Sequence, residues 1–286
     1  MSSESTILDI NGIRMNVVSA GEGPAVLLLH GFPDTHIVWR NQIRALAAAG
    51  YRVIAPDLRG YGKSDAPPDV QAYAMPILCA DVLALLDALG LDKVSLVGHD
   101  WGAAIGWRLC ALAPERFERY AALSVGHLKA VIGAGIGQRL RFYYMAIFCI
   151  PGFSEWLLRA GDWRILRKLT RAPGQAEQWI RDLSPEGRLT AALNYYRANV
   201  KPAGGKKTSS AITMPVMGVW SDGDKALGER QMRDSAAYVQ GGFRYERIEG
   251  ADHWMQLTAP DRVNALLLDF LGGASALGHR AAGMAP

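Results

Sequence analysis

Apolar and polar residues alternate through Ile7, Leu8 and Ile10, and again through Ile13, Met15 and Val17, with Asn11-Gly12 between the two runs. An Asn-Gly pair joining alternating runs predicts a β-hairpin over residues 7–20. Beyond it the period changes. Ala25 to Leu29 is a short continuous apolar run, the pattern of a strand buried on both faces. Trp39 to Ala49 has helical spacing and Tyr51 to Ala55 reads as a strand. Met75 to Leu89 is a helix stopped at Gly90, Val94 to Val97 a strand, and Ala103 to Leu112 a helix. Strand and helix in alternation call for a mainly parallel sheet with helices on both faces.

The alternation ends after Tyr120 to Ser124. For roughly eighty residues helical patterns rich in Trp, Arg and Tyr replace it, among them Arg139 to Ile150, Phe153 to Arg159 and Leu189 to Val200. Strands resume at Pro215 to Trp220 and Phe243 to Ile248, and a helix from Pro260 to Phe270 follows. The pattern predicts an α/β core of residues 1–126 and 209–272 interrupted by a helical cap at 127–208. The Gly- and Lys-rich stretch 201–210 reads as a mobile return linker, and the small residues of 273–286 as a disordered tail. No repeat is apparent.

Composition narrows the classes. Of 286 residues, 50% are apolar and 20% charged, as in an ordinary globular protein. Residues 1–6 lack the basic-then-apolar order of a secretory leader, and the longest apolar runs stop well short of a bilayer span. A cytoplasmic location with no integral membrane segment is therefore expected. Cys79, Cys110 and Cys149 lie in apolar helical contexts without metal-like spacing, so they read as inert thiols. A net charge of +4 is too small to argue for nucleic acid, yet residues 127–208 hold 14 Lys/Arg against 5 Asp/Glu. Such a segment can steer acidic ligands or touch an anionic surface. The plainer reading, a set of amphipathic helices with solvated arginines, is preferred.

In a parallel α/β sheet the ligand site lies at the carboxyl ends of the strands. Four motifs fall there: His30-Gly-Phe-Pro33, Gly98-His-Asp-Trp-Gly102, Ser221-Asp-Gly-Asp224 and Gly250-Ala-Asp-His-Trp254. The second has the strand, glycine-flanked turn and helix of a nucleophile elbow, with aspartate where serine is usual. A carboxylate there points to displacement at a saturated carbon through a covalent ester. Asp100 is the candidate nucleophile; its competing role is to cap the helix that follows. His253 is the candidate base, and either Asp222 or Asp224 can orient it. His30 reads as a turn-shaping residue, His99 as packing of the elbow, and His36, His127 and His279 as incidental. Phe32-Pro33 is an X-Pro bond of the type that tolerates cis. The Phe32 amide and the Trp101 amide can form an oxyanion hole.

His30-Gly-Phe-Pro-Asp34, Asp57-Leu-Arg-Gly-Tyr-Gly-Lys-Ser-Asp65, Gly98-His-Asp-Trp-Gly102 and Gly250-Ala-Asp-His-Trp254 together resemble the epoxide hydrolase branch of the α/β-hydrolase fold. The resemblance runs from about residue 13 to 270 and is weaker in the cap. It implies an eight-stranded, mainly parallel sheet with an inserted helical cap, a nucleophilic aspartate, a His–acid pair that activates water, and two cap tyrosines that hold the epoxide oxygen. Leu193-Asn-Tyr-Tyr-Arg197 resembles the second tyrosine motif, which implies Tyr196. Counting back from Pro151-Gly152 implies Tyr144 as the first, with Tyr143 its neighbour. The same comparison favours Asp224 over Asp222. Tyr143 and Tyr195 are expected to be ordinary helix residues.

The expected reaction is hydrolysis of an epoxide to a vicinal diol through an ester on Asp100, with no metal or organic cofactor. Phe32, Trp101 and Trp254 are expected to wall the substrate, an apolar or aromatic epoxide, in a monomer or homodimer. Two rivals stand beside it. A haloalkane dehalogenase shares the Asp–His–Asp core, but Phe32 stands where an asparagine donor is common. A non-catalytic small-molecule-binding protein is the reading from another class.

Overall fold

The computed structural model describes residues 3–200 and 211–272. The expected linker at 201–210 and tail at 273–286 lie outside the described residues. β1 (Glu4–Ile10) and β2 (Ile13–Ala20) pair antiparallel across Asn11-Gly12. Both turn residues have positive φ, 46° and 79°, the conformation that favours Asn and Gly in a tight hairpin. The chain then alternates through β3 (Ala25–Leu29), α1 (Arg40–Ala48), β4 (Arg52–Pro56), α2 (Met75–Ala88), β5 (Val94–His99), α3 (Trp101–Leu112) and β6 (Phe117–Leu123). Six helices follow before the next strand: α4 (Leu128–Gly133), α5 (Ile136–Arg141), α6 (Tyr143–Phe148), α7 (Phe153–Trp163), α8 (Gln175–Leu183) and α9 (Arg188–Asn199). β7 (Val216–Ser221), α10 (Glu229–Arg233), β8 (Phe243–Ile248), α11 (Met255–Thr258) and α12 (Pro260–Gly272) complete the described fold.

The sheet has eight strands in the order β1-β2-β4-β3-β5-β6-β7-β8. β1/β2 and β2/β4 are antiparallel and every later pair is parallel. The central strands are apolar because neither face meets water: all six residues of β5 are buried, as are the last four of β3. Each buried Val or Leu contributes about 1.5–3 kcal/mol, which fixes these strands more firmly than any loop they carry. Register aligns their ends, with Leu29 beside Gly98, His99 beside Leu123, and Ser221 beside Ile248. The four motif-bearing loops therefore leave the sheet at one edge.

The helical segment departs from the sequence expectation in two places. Arg139 to Ile150 is not one helix. Phe142, at φ −84° and ψ 11°, separates α5 from α6, and its N–H is shared between the Gln138 and Arg139 carbonyls. That tightened turn redirects the chain just before Tyr143 and Tyr144. α7 runs beyond Arg159 to Trp163, but Ala160, Gly161 and Asp162 leave helical geometry and kink it. Among the described residues no helix is long and apolar enough to cross a membrane.

Candidate active site

Asp100 stands between β5 and α3 with φ 53° and ψ −120°. A non-glycine residue at positive φ is strained and persists only where its surroundings hold it. They do so by close approach: a side chain at Gly102 would run into the Leu29 carbonyl, and one at Gly31 into the Asp100 carboxylate. The tightness drives the carboxylate out past the strand ends. Its side chain makes no capping bond to α3, which removes the helix-cap role. Instead Oδ1 accepts the Phe32 N–H at 2.8 Å, and Oδ2 lies 3.6 Å from Nε2 of His253. The Phe32-Pro33 peptide is cis.

His253 is fixed from behind. Its Nδ1 bonds Oδ2 of Asp224 at 2.8 Å, and the other oxygen of Asp224 accepts the N–H groups of Ala226 and Leu227. Asp224 is therefore the carboxylate at the histidine. Asp222 faces elsewhere, accepting the Gly250 N–H and approaching Arg247. The His253 carbonyl accepts from Ser124 Oγ and from Nε2–H of His99. His99 is thus a buried neutral support, held by burial at about 3. His30 has a similar standing: Leu58 N–H donates to its Nε2 while its Nδ1–H donates to the Gly31 carbonyl. His36, taken as incidental, bonds Asp57 with both its N–H and its ring nitrogen.

Electrostatics couple the pair. Burial alone disfavours a charged His253, but Asp224 and Asp100 outweigh it and hold the imidazole well above its ordinary value. Burial alone would raise Asp100, but His253 and the Phe32 amide keep it ionised and below the usual range. Both shifts favour an imidazolium between two carboxylates.

The tyrosine pairs separate cleanly. Tyr143 is 70% exposed, whereas Tyr144 packs against Phe148 and Tyr196 with centroids at 5.4 and 6.3 Å. Tyr195 is fully buried and gives its hydroxyl to the Arg59 carbonyl. Tyr196 faces the other way, edge-on to Trp101 at 5.2 Å and Phe32 at 5.6 Å. Burial and the charge of Asp100 push both Tyr144 and Tyr196 up, so both remain protonated donors at neutral pH. Arg197 sets the α9 register. It pairs with partly buried Glu155 at 2.9 Å and donates to Phe148 O, Ser154 Oγ and Asn194 Oδ1, tying α9 to α6 and α7.

Trp254 stacks edge-on against His253 at 4.8 Å, and its N–H donates to Oδ2 of Asp34 at 2.8 Å. Asp34, to which the sequence reading gave no role, is buried beneath the site. Its Oδ1 accepts the Trp179 N–H at 2.6 Å and the Gln175 amide at 3.1 Å, both from α8. Burial drives this carboxyl up to about 7 against the pull of the indole donors. Its place after Pro33 in the first loop was the only sequence signal; its partners lie at 175, 179 and 254.

A family model described as the alpha/beta hydrolase fold matches residues 24–260. The chain is 34% identical to epoxide hydrolase A of Mycobacterium tuberculosis over 93% of its own length and 97% of that protein. It is 36% identical to an epoxide hydrolase of Caballeronia sordidicola, with 91% of each chain covered. The crystal structure of an epoxide hydrolase from Vigna radiata superposes with a TM-score of 0.82 at 33% identity, covering 95% of this chain and 98% of that one.

Proposed function

The chain belongs to the epoxide hydrolase branch of the alpha/beta hydrolase fold and converts epoxides to vicinal diols, and on that premise we propose which residue performs each step. The observation that carries the assignment is the division of the Asp100 carboxylate. Oδ1 is already engaged by the Phe32 amide, while Oδ2 has no hydrogen bond at the 3.6 Å that separates it from His253.

Oδ2 attacks an epoxide carbon as the C–O bond breaks. Tyr144 and Tyr196 hold the departing oxygen and supply its proton; a phenol stays protonated at neutral pH yet stabilises a developing alkoxide. The result is a hydroxyalkyl ester on Asp100. Esterification also removes one of the two negative charges beside His253, so the imidazolium gives up its proton, which restores the phenol, and becomes a base. Neutral His253, oriented by Asp224, then takes a proton from a water that attacks the ester carbonyl carbon. Oδ1 becomes the oxyanion and already lies on the Phe32 N–H, with the Trp101 amide as the second donor. Each such donor contributes about 3–4 kcal/mol in comparable sites. Collapse breaks the ester C–O bond, and the imidazolium gives its proton to the departing diol oxygen. The carboxyl left on Asp100 passes its proton to His253, restoring the carboxylate, now with one oxygen from water, and the imidazolium.

The helices between β6 and β7 serve as a cap over the sheet edge. Phe32, Trp101 and Phe148 pack their rings against Tyr196 and would give the proposed substrate chamber apolar walls, which favours an apolar or aromatic epoxide. Trp254 is assigned to holding His253 through its ring and through Asp34. The remaining expectations, a cytoplasmic enzyme acting as monomer or homodimer without a cofactor, are kept as part of this reading. An alkyl halide has no use for two phenols, and Phe32 offers only a ring where a second side-chain N–H is wanted.

A single turnover in oxygen-18 water with enzyme in excess tests the ester. The first diol carries an oxygen from Asp100 and is expected to be largely unlabelled. Full labelling in that first turnover means direct attack by water and overturns the assignment of Asp100.

A further inference from the structure

Large apolar side chains are seldom left in water in contiguous numbers. Of the 13 exposed large hydrophobics among the described residues, 11 lie in the helical segment after β6. Ile132, Ile136, Leu140 and Tyr143 follow one another at spacings of three or four residues along α4, α5 and α6, each 69–72% exposed. On α7, Phe153 and Trp156 add two more, with ring centroids 5.8 Å apart. None of these six has a place in the chemistry described above.

The charge along α4, α5 and α6 has one sign. Residues 127–154 contain Lys129, Arg139 and Arg141 and not one Asp or Glu. All three cations are exposed. Arg141 donates to the Lys225 carbonyl, which brings the backbone of the exposed Lys225 beside α5. Exposed apolar side chains that include tyrosine and tryptophan, with only cations beside them on α4 to α6 and with the α7 carboxylates Glu155 and Asp162 paired to Arg197 and Arg167, are the pattern of a surface that lies in a lipid interface. A second copy of this chain is the poorer occupant, because two such faces would press like charges together.

We propose that the face formed by α4, α5 and α6, extended by α7, docks on an anionic phospholipid bilayer. The apolar side chains enter the headgroup–acyl boundary while Lys129, Arg139, Arg141 and Lys225 meet lipid phosphates. The contact places Tyr143 in the interface and Tyr144, one residue on, inside the chamber. An apolar substrate dissolved in the membrane then has a short path to the site. Binding itself does not depend on the reaction assigned above.

The test is co-sedimentation of the full chain with vesicles of phosphatidylcholine alone and of phosphatidylcholine and phosphatidylglycerol in equal parts. Binding is expected only to the anionic vesicles, with release by salt as surface charge is screened. Arg139→Glu is expected to weaken partitioning at least about fivefold, the effect of losing one surface cation. Ile136→Ser with Leu140→Ser is expected to do the same, and both variants should keep the parent melting temperature because these side chains are exposed. No binding to the anionic vesicles, or binding unchanged in both variants, overturns the proposal. So does a sedimentation-velocity dimer that the double variant dissociates while vesicles remain unbound.

Discussion

Nε2 of His253 stands 3.6 Å from Oδ2 of Asp100, while Nδ1 of the same ring is bonded to Asp224 at 2.8 Å. The longer separation is beyond a hydrogen bond and the shorter is a strong one. One ring nitrogen is thus committed to orientation, and the other faces the nucleophile without restraining it. This asymmetry is what the proposed sequence requires, in which the carboxylate attacks first and the imidazole acts afterwards on the ester.

Replacing the base should split the two steps. His253→Gln leaves Asp100 able to open the ring but removes the group that activates water. One equivalent of epoxide is expected to be consumed, with steady-state turnover falling by about 10³–10⁴. Mass spectrometry of the protein should show one added substrate on the peptide containing Asp100. Wild-type turnover in this variant, without an adduct, would remove His253 from the mechanism.

The four tyrosines of the cap provide an internal control. Tyr144→Phe and Tyr196→Phe are each expected to lower kcat/KM by about 10²-fold, and the double change by less than the product, since both act on one oxygen. Tyr143→Phe should leave the rate within about twofold, because that ring faces solvent. Tyr195→Phe loses the bond to the Arg59 carbonyl and should cost about 1 kcal/mol of stability instead. Equal losses at Tyr143 and Tyr144 would reverse their assignment.

Asp34 makes stability depend on pH. Its carboxyl titrates near 3.8 in the unfolded chain and near 7 in the folded one. Between those values the native state binds a proton that the unfolded state has lost, so stability falls as pH rises through this window and levels off above it. Asp34→Asn removes that contribution. It also turns an amide NH₂ toward one of the three N–H donors, at a cost of about 1–3 kcal/mol. Urea unfolding of both proteins at about pH 5 and about pH 8 checks the slope; the same pH dependence in Asp34→Asn would clear the residue of it.

Arg197→Ala removes the charged partner of the partly buried Glu155 carboxylate, which keeps its bonds from Gly152 N–H, Ser154 Oγ and Thr190 Oγ1, and should destabilise the protein by about 1–3 kcal/mol. Glu155→Gln with Arg197→Met is expected to recover most of that loss, because the unpaired charge is then gone. If the double variant remains as unstable as the single one, packing of the arginine stem rather than charge explains the effect. The rate should fall in Arg197→Ala as well, since α9 carries Tyr196.

How much of this was legible in the chain varied with the distance over which each feature is built. The elbow around Asp100 and the histidine loop are local patterns, a strand, a turn and a helix start within a few residues, so spacing exposed them. The residues alone left Asp222 and Asp224 open, because both sit in one turn; the choice depends on which oxygen reaches a ring 29 residues away. Tyr144 and Tyr196 came only through resemblance, since a tyrosine facing a chamber and one facing a core have the same helical spacing. The break at Phe142 was invisible because the apolar periodicity runs on through it. Asp34 stood in a recognisable motif but its role could not be read, because that role comes from Gln175, Trp179 and Trp254, which only the fold brings together.

Asp100 and His253 are mounted on the sheet edge, and both phenols on helices α6 and α9 outside it. Neither body alone holds a complete reaction. A carboxylate at a strand end is a poor reagent until an acid stands opposite, so stray electrophiles that slip beneath the helices without seating their oxygen are left intact. Under the proposed assignment, substitutions in the helices are expected to retune which ring is opened and at which carbon, while ester formation and release stay with the residues at the strand ends.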